Sequence, residues 1–247
     1  MRRRFFVDSF SQNAAALRGD SAAHLARVLR AEPGQLYELS DGRELWLARI
    51  ERVSRDEIVF ALVERLPAAE PRLKITLLLS IVKMDRFEWA LEKATELGVA
   101  EILPLAAERS EKALVRAAPQ RSARWERILR ESAQQSRRLR APLLLEIAAP
   151  QEAFRIADAR GLRVLLSERA GAPSMRAVVP VESVTRDAVV AEPREISLAI
   201  GPEGGWTDAE FAAATASGFL EASLGENILR TETAVCAALA AIVFALG

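Results

Sequence analysis

The chain has 247 residues, half of them hydrophobic and 28% charged, which suits a globular protein of one large or two modest domains and excludes a disordered one. Its 34 Lys and Arg match its 34 Asp and Glu, so no bulk charge draws it to nucleic acid. One cysteine and one histidine exclude an intramolecular disulfide, a cysteine-rich metal centre and an all-histidine one.

Met1-Arg2-Arg3-Arg4 gives a basic start, but Asp8, Gln12 and Asn13 interrupt any apolar signal core, and the expectation is a cytoplasmic protein. Residues 21–30 predict a short helix with Ser21 as N-cap and Leu25, Val28 and Leu29 on one face, ended by Pro33-Gly34. His24, in its polar start, reads as structural. Strands at 35–40 and 44–50 joined by Asp41-Gly42 read as a hairpin, and 57–64 as a third strand. Pro67 and Pro71 mark a linker, placing a small β-rich domain at 1–68 and a second domain at 73–247.

In the second part, the apolar run 73–82 predicts a strand buried on both faces. A helix at 85–97 closed by Gly98, a strand at 99–105, a basic helix at 121–140 and strands at 162–167 and 196–201 follow. A helix at 208–217 is closed by Gly218, and the longest apolar run, 234–246, is too short for the roughly 20 residues of a membrane span and reads as a core helix. Cys236, among its alanines, reads as a small core residue. Alternating strands and helices predict an α/β fold with a mainly parallel sheet. Charge is uneven: 108–140 holds ten Lys and Arg against four Asp and Glu, and 185–247 holds three against nine, so a basic face on a neutral molecule is expected.

Two segments carry chemistry. Leu198-Ala-Ile-Gly-Pro-Glu-Gly-Gly-Trp206 runs from an apolar strand into a loop with three glycines, and Thr207 with Glu210 predicts a capping box at the next helix. Such a loop at the end of a parallel strand is a ligand position, although a tight structural turn has the same pattern. It lacks the lysine of a P-loop and the spacing of a dinucleotide fingerprint. The second segment, Leu224-Gly-Glu-Asn-Ile-Leu-Arg-Thr-Glu-Thr-Ala234, leads into the apolar C-terminal helix, with Thr231 or Thr233 as its cap.

GPEGGW and LGENILRTETA resemble the two C-terminal signatures of the ribosomal RNA small subunit methyltransferase E family, which is uracil-N3 specific and of the SPOUT class. The opening 3–7, His24-Leu-Ala-Arg-Val-Leu-Arg30, Lys93-Ala-Thr-Glu-Leu-Gly-Val99 and 131–137 are similar to further family blocks, in order along the chain. The resemblance implies a PUA-like β-barrel followed by a SPOUT domain with a C-terminal trefoil knot, acting as a homodimer. It implies S-adenosylmethionine held by Leu166, Ser167 and Glu168, by Ile200, Gly201, Pro202, Glu203, Gly204 and Gly205, and by Leu224, Gly225, Asn227, Ile228, Leu229 and Arg230. The implied reaction methylates N3 of one uridine in 16S RNA, on naked RNA or an assembled small subunit, and requires no metal. Arg230 would stabilise developing negative charge, with Glu232 and Glu203 as bases. RNA phosphates would meet Arg2, Arg3, Arg4, Lys83, Arg86, Arg109, Lys112, Arg137, Arg138 and Arg140. Where relatives commonly carry Phe after GPEGG, Trp206 keeps an aromatic shelf. Two other readings stand beside this one: a SPOUT enzyme acting on a ribose 2′-hydroxyl, and an RNA-binding assembly module without catalysis.

Overall fold

The computed structural model describes residues 3–157, 161–180 and 194–247. They form two compact units, one of Met1–Glu70 with Arg130–Ala141, the other of Pro71–Leu129 with Pro142–Gly247. The stretch Arg130–Ala141, which the sequence reading put in the second domain, counts with the first unit.

The first unit contains β1 (Arg4–Phe6), β2 (Ala14–Arg18), α1 (Gly19–Arg27), β3 (Leu36–Ser40), β4 (Leu45–Val53) and β5 (Glu57–Leu66). They build a five-stranded sheet in the order β1-β3-β4-β5-β2, with β1 parallel to β3 and the remaining pairs antiparallel. The β3–β4 hairpin turns at Asp41-Gly42 as the sequence predicts. Asp41 Oδ1 accepts the amides of Arg43 at 2.9 Å and Glu44 at 2.7 Å, and Gly42 takes φ +88°. Phe5, Leu17, Leu25, Leu39, Ile50, Ile58 and Phe60 pack into its core. α1 ends at Arg27, so the predicted apolar face stops short and Val28 is 65% exposed.

A buried ion cluster anchors this unit. Glu38 Oε2 accepts from Arg4 Nε at 3.1 Å and Nη2 at 2.8 Å, and its other oxygen pairs with Arg137. Arg137 takes φ +58° just past a helix end, the left-handed position usually given to glycine, while Arg138 N donates to Ala133 O at 2.9 Å. Burial pushes the Glu38 pKa up, but the hydrogen bonds from Arg4 and Arg137 outweigh it and leave the carboxyl below its usual value.

The second unit contains β6 (Leu73–Ser80), α2 (Met84–Glu96), β7 (Glu101–Leu105), α3 (Lys112–Ala117), a 3-10 turn (Ala118–Arg121), the start of α4 (Ser122–Gln135), β8 (Leu143–Leu144), α5 (Pro150–Ile156), β9 (Leu162–Leu166), α6 (Met175–Val178), β10 (Arg194–Ile200), α7 (Asp208–Ala216), β11 (Leu220–Ala222) and α8 (Thr231–Leu246). Six strands form a wholly parallel sheet in the order β11-β9-β10-β6-β7-β8. Alternation along each strand feeds two cores. Leu77, Leu79, Val164, Leu198 and Ile200 face α2 and α8, while Leu78, Leu165 and Ala199 face α5 and α7. The predicted basic helix 121–140 stops at Gln135, because Arg137 turns the chain. Cys236 is half-buried rather than core, and on α8 Val243 and Phe244 are exposed.

A carboxyl whose folded pKa lies below its unfolded value contributes stability above the unfolded pKa and loses it as pH falls through the folded one. Glu38→Gln is therefore expected to destabilise the protein at neutral pH by about 3 kcal/mol. The difference from wild type should shrink below about pH 4, as read by urea unfolding across pH.

Candidate functional site

All strands of the second sheet end on the same side, and their carboxyl ends carry both sequence motifs. Sheet order explains the position: β6, β7 and β8 run outward in one direction, whereas β10 and β9 are added on the other side of β6. Crevices outside such carboxyl ends bind ligands in open α/β sheets.

Three loops meet there. Ser167 N, after β9, donates to Ala222 O at 2.9 Å, and Ser223 N, after β11, donates to Pro173 O at 2.7 Å. Trp206 Nε1, after β10, donates to Leu166 O at 3.0 Å. Leu166, Ser167, Ile200 and Pro202 are buried beneath this junction, whereas Glu168, Glu203 and Gly204 are exposed. In the third loop Gly225, Asn227, Ile228 and Arg230 are exposed, and Leu224 and Leu229 are half-buried.

Two glycines lie in close approach to neighbouring side chains. A Cβ on Gly201 would lie 3.0 Å from the Trp206 indole, and one on Gly204 would lie 3.1 Å from Arg109 Cβ. Trp206 is thus not a shelf facing the crevice. It is 5% exposed and packs under the loop against Phe154 at a centroid distance of 5.8 Å. Arg109 Nη1 donates to Gly204 O at 3.0 Å from the opposite side.

The predicted capping box is present: Glu210 N donates to Thr207 Oγ1 at 3.2 Å, and Thr207 N donates to Glu210 Oε2 at 2.8 Å. Glu210 is fully buried, and its Oε1 accepts the Glu108 amide at 2.9 Å, tying the loop after β7 to the start of α7. No threonine side chain caps α8. Arg230 is its N-cap residue, and Thr231, already inside the helix, turns its hydroxyl toward Gly201 O at 3.5 Å.

The two carboxylates named as bases are both paired with one cation. Arg86 Nη1 bonds Glu203, and Arg86 Nε lies 3.9 Å from Glu232 Oε1. Sequence reading had set Arg86 among the RNA contacts because its partners lie far along the chain. It also missed Arg169, which pairs with Asp208 and stacks 3.5 Å from the Phe211 ring centroid.

A family model for an RNA methyltransferase domain matches residues 69–243. Ribosomal RNA small subunit methyltransferase E of Synechocystis sp. is 34% identical over 225 residues, covering 89% of this chain and 69% of that protein. The protein of the same name from Bacillus subtilis is 30% identical, covering 97% and 95%. The chain belongs to the ribosomal RNA small subunit methyltransferase E family. The fold agrees with solved structures: the Neisseria gonorrhoeae family member bound to S-adenosylmethionine has a TM-score of 0.81 at 30% identity, covering 98% of this chain and 96% of that one. A Legionella pneumophila protein solved with the same cofactor gives 0.85 at 31%, covering 98% and 97%. The chain is accordingly an RNA methyltransferase.

Within this family member, the predicted phosphate contacts divide into paired and open cations. Arg4 is buried on Glu38, so it is not an open phosphate contact, and neither is Arg86 on its two carboxylates. Arg137 pairs with Glu38 and Arg140 with Glu70, each keeping part of its side chain exposed. Arg138 is half-buried, and burial together with Arg140 pushes its pKa down to about 10, still far above neutrality. Arg3, Lys83, Arg109 and Lys112 are exposed. Arg2 lies outside the described residues. A cavity of ≈ 400 Å³ at the opposite, amino-terminal end of the sheet is bordered by Lys74, Thr76, Glu101 and Glu195. These groups satisfy one another, Lys74 lying 3.5 Å from each glutamate, and nothing there matches either motif.

Glu210→Ala removes a buried acceptor of three hydrogen bonds and is expected to destabilise the protein by about 3 kcal/mol, more than loss of a helix cap alone. Urea unfolding of the variant against wild type measures this.

Proposed function

We propose that this methyltransferase uses S-adenosylmethionine to methylate N3 of one uridine in 16S ribosomal RNA of the small subunit. The observation that carries the proposal is the loop of Gly201, Pro202, Glu203, Gly204 and Gly205 at the carboxyl end of a parallel sheet, followed by Trp206, whose indole bonds to the end of β9, while the loops after β9 and β11 bond to each other.

The residues fit the cofactor. Gly201 and Gly204 sit where a side chain would collide with Trp206 or Arg109, so the loop presents backbone to a neighbour. Leu224, Ile228 and Leu229 offer apolar surface beside it, Ile228 being 79% exposed. Leu166, Ser167, Glu168, Ile200, Gly225, Asn227 and Arg230 complete the proposed cradle. When bound, the group supplies a methyl carbon already activated by sulfonium charge. The protein's task is alignment of that carbon with uracil N3.

N3 becomes a nucleophile only as its proton leaves, and negative charge then spreads over the ring. Arg230, exposed and with its guanidinium unpaired among the described residues, is assigned to stabilise that charge. Glu203 and Glu232 are weaker choices for a base than their position in the motifs suggests, since Arg86 holds both. N3 lies on the pairing edge, so the target uridine must be unpaired or flipped out.

The finer architecture belongs to the same proposal: a PUA-like RNA-binding domain at 1–68, a SPOUT domain at 73–247 and a trefoil knot formed where the three loops meet. RNA phosphates meet Arg3, Arg137, Arg138 and Arg140 of the first compact unit and Lys83, Arg109 and Lys112 of the second. A homodimer is supported by apolar side chains left open on packed helices, Phe244 at 87% and Val243 at 39% exposure on α8 and Trp89 at 43% on α2. Among the described residues no helix is long and apolar enough to cross a membrane. A cytoplasmic location is proposed with the ribosomal substrate.

The test is methyl transfer from labelled S-adenosylmethionine to small subunits lacking the modification, with the product nucleoside identified by mass spectrometry. The expected product is 3-methyluridine, reduced about 100-fold or more by Arg230→Ala. A ribose 2′-O-methyl product would overturn the N3 assignment, and RNA binding without transfer would favour an assembly module.

A further inference from the structure

Arg86, Glu203 and Glu232 stand on three separate elements: the first turn of α2, the glycine-rich loop and the first turn of α8. The backbone of the loop is also held by Arg109 at Gly204 O and rests on the Trp206 indole at Gly201. Gly201, Pro202, Gly204 and Gly205 carry no polar side chain, and the contact from Thr231 to Gly201 O is long at 3.5 Å. Within the loop, Gly205 N closes a turn onto Pro202 O at 2.8 Å, which shapes the loop without fixing it to a neighbour. Beside the Arg109 contact, Glu203 is, among the described residues, the loop side chain that an α2 residue holds.

Glu232 makes the cation necessary. Its side chain is 15% exposed, and its Oε2 is buried with no hydrogen-bond partner among the described residues. A buried carboxylate so poorly solvated depends on a nearby positive charge. Arg86, itself only 23% exposed, supplies it and at the same time separates two carboxylates that would otherwise repel.

We infer that Arg86 is a positioning residue for the cofactor. It ties the glycine-rich loop to the start of α8 by pairing with Glu203 and Glu232. Arg230 immediately precedes α8, so the same tie sets where that helix presents it. The inference rests on the proposed cofactor site, and it gives Arg86 no contact with RNA.

Calorimetric titration of the full chain with S-adenosylmethionine tests it, with thermal unfolding as a control and filter binding for RNA. Arg86→Gln should weaken cofactor binding by about tenfold, the size of one lost charge-assisted hydrogen bond. It should leave RNA affinity within about twofold, unlike loss of a phosphate contact, which weakens RNA binding and its salt dependence. Arg86→Lys, which keeps the charge, should recover most of the loss. Because Arg86 acts through Glu203, the double variant R86Q/E203Q should bind the cofactor no more weakly than the poorer single variant. Glu203→Gln carries the same expectation on the exposed side of the tie should R86Q not fold. Unchanged cofactor affinity in the folded variants, or a loss confined to RNA binding, would overturn the inference alone. Failure of the wild-type chain to bind the cofactor would overturn the site reading and this inference together.

Discussion

The contact between Gly201 and the indole of Trp206 sets the height at which the glycine-rich loop crosses the end of the sheet. A Cβ on Gly201 would crowd the ring at 3.0 Å, and the indole is itself held by its hydrogen bond to Leu166 O and by Phe154 beside it. Through that bond the loop after β10 is referenced to the end of β9. Through Ser167 and Ser223 the end of β9 is referenced to β11. Three loops from adjacent parallel strands therefore share one frame, and the frame is mostly backbone. A site built this way presents amides and carbonyls at fixed positions and leaves only a few side chains to choose chemistry.

Carboxylates supply most of the remaining order. Glu210 gathers amides from two loops while fully buried, and Glu38 gathers two arginines in the first unit. Glu203 and Glu232 share Arg86. In the first unit, against the effect of burial, the two arginines hold the Glu38 carboxyl below its usual pKa. A methyltransferase acting on a nitrogen that must lose a proton is expected to offer a base; Arg86 holds Glu203 and Glu232, whereas Glu168 and Glu226 are exposed in the neighbouring loops. Arg230 is an exposed cation in the second motif, placed to stabilise the anion left when that proton departs.

What the sequence could reveal depended on the distance over which each interaction acts. The Asp41-Gly42 hairpin and the Thr207–Glu210 capping box are legible because every participant lies within a few residues. The glycine-rich loop is legible for the same reason. The ends of α1 and α4 were overrun, the second because an arginine, Arg137, occupies a left-handed position where glycine is the usual signal. Strand β1 has only three residues, joins in parallel and offers too short a pattern to read. The ion pairs were out of reach altogether: Arg86 meets carboxylates more than a hundred residues away, and Arg4 and Arg137 converge on Glu38 from both sides of it in sequence. An unpaired arginine and a paired one look alike in a sequence, so the list of RNA contacts included Arg4 and Arg86, both of which the fold uses internally. The resemblance implies an aromatic shelf at Trp206, whereas the ring packs against Gly201 and Phe154 and bonds to Leu166 O, partners spread from 154 to 201 in the chain.

The central claim is that the three joined loops form the cofactor site. The most direct measurement is a crystal structure of the chain with S-adenosylmethionine or its demethylated product bound. The account predicts the ligand in the crevice of Gly201–Gly205, hydrogen-bonded to loop backbone and flanked by Leu224, Ile228 and Leu229, with Arg86 still bridging Glu203 and Glu232. A ligand bound at the opposite end of the sheet, beside Lys74 and Glu195, would contradict it, as would a glycine-rich loop that leaves Trp206 when the cofactor enters.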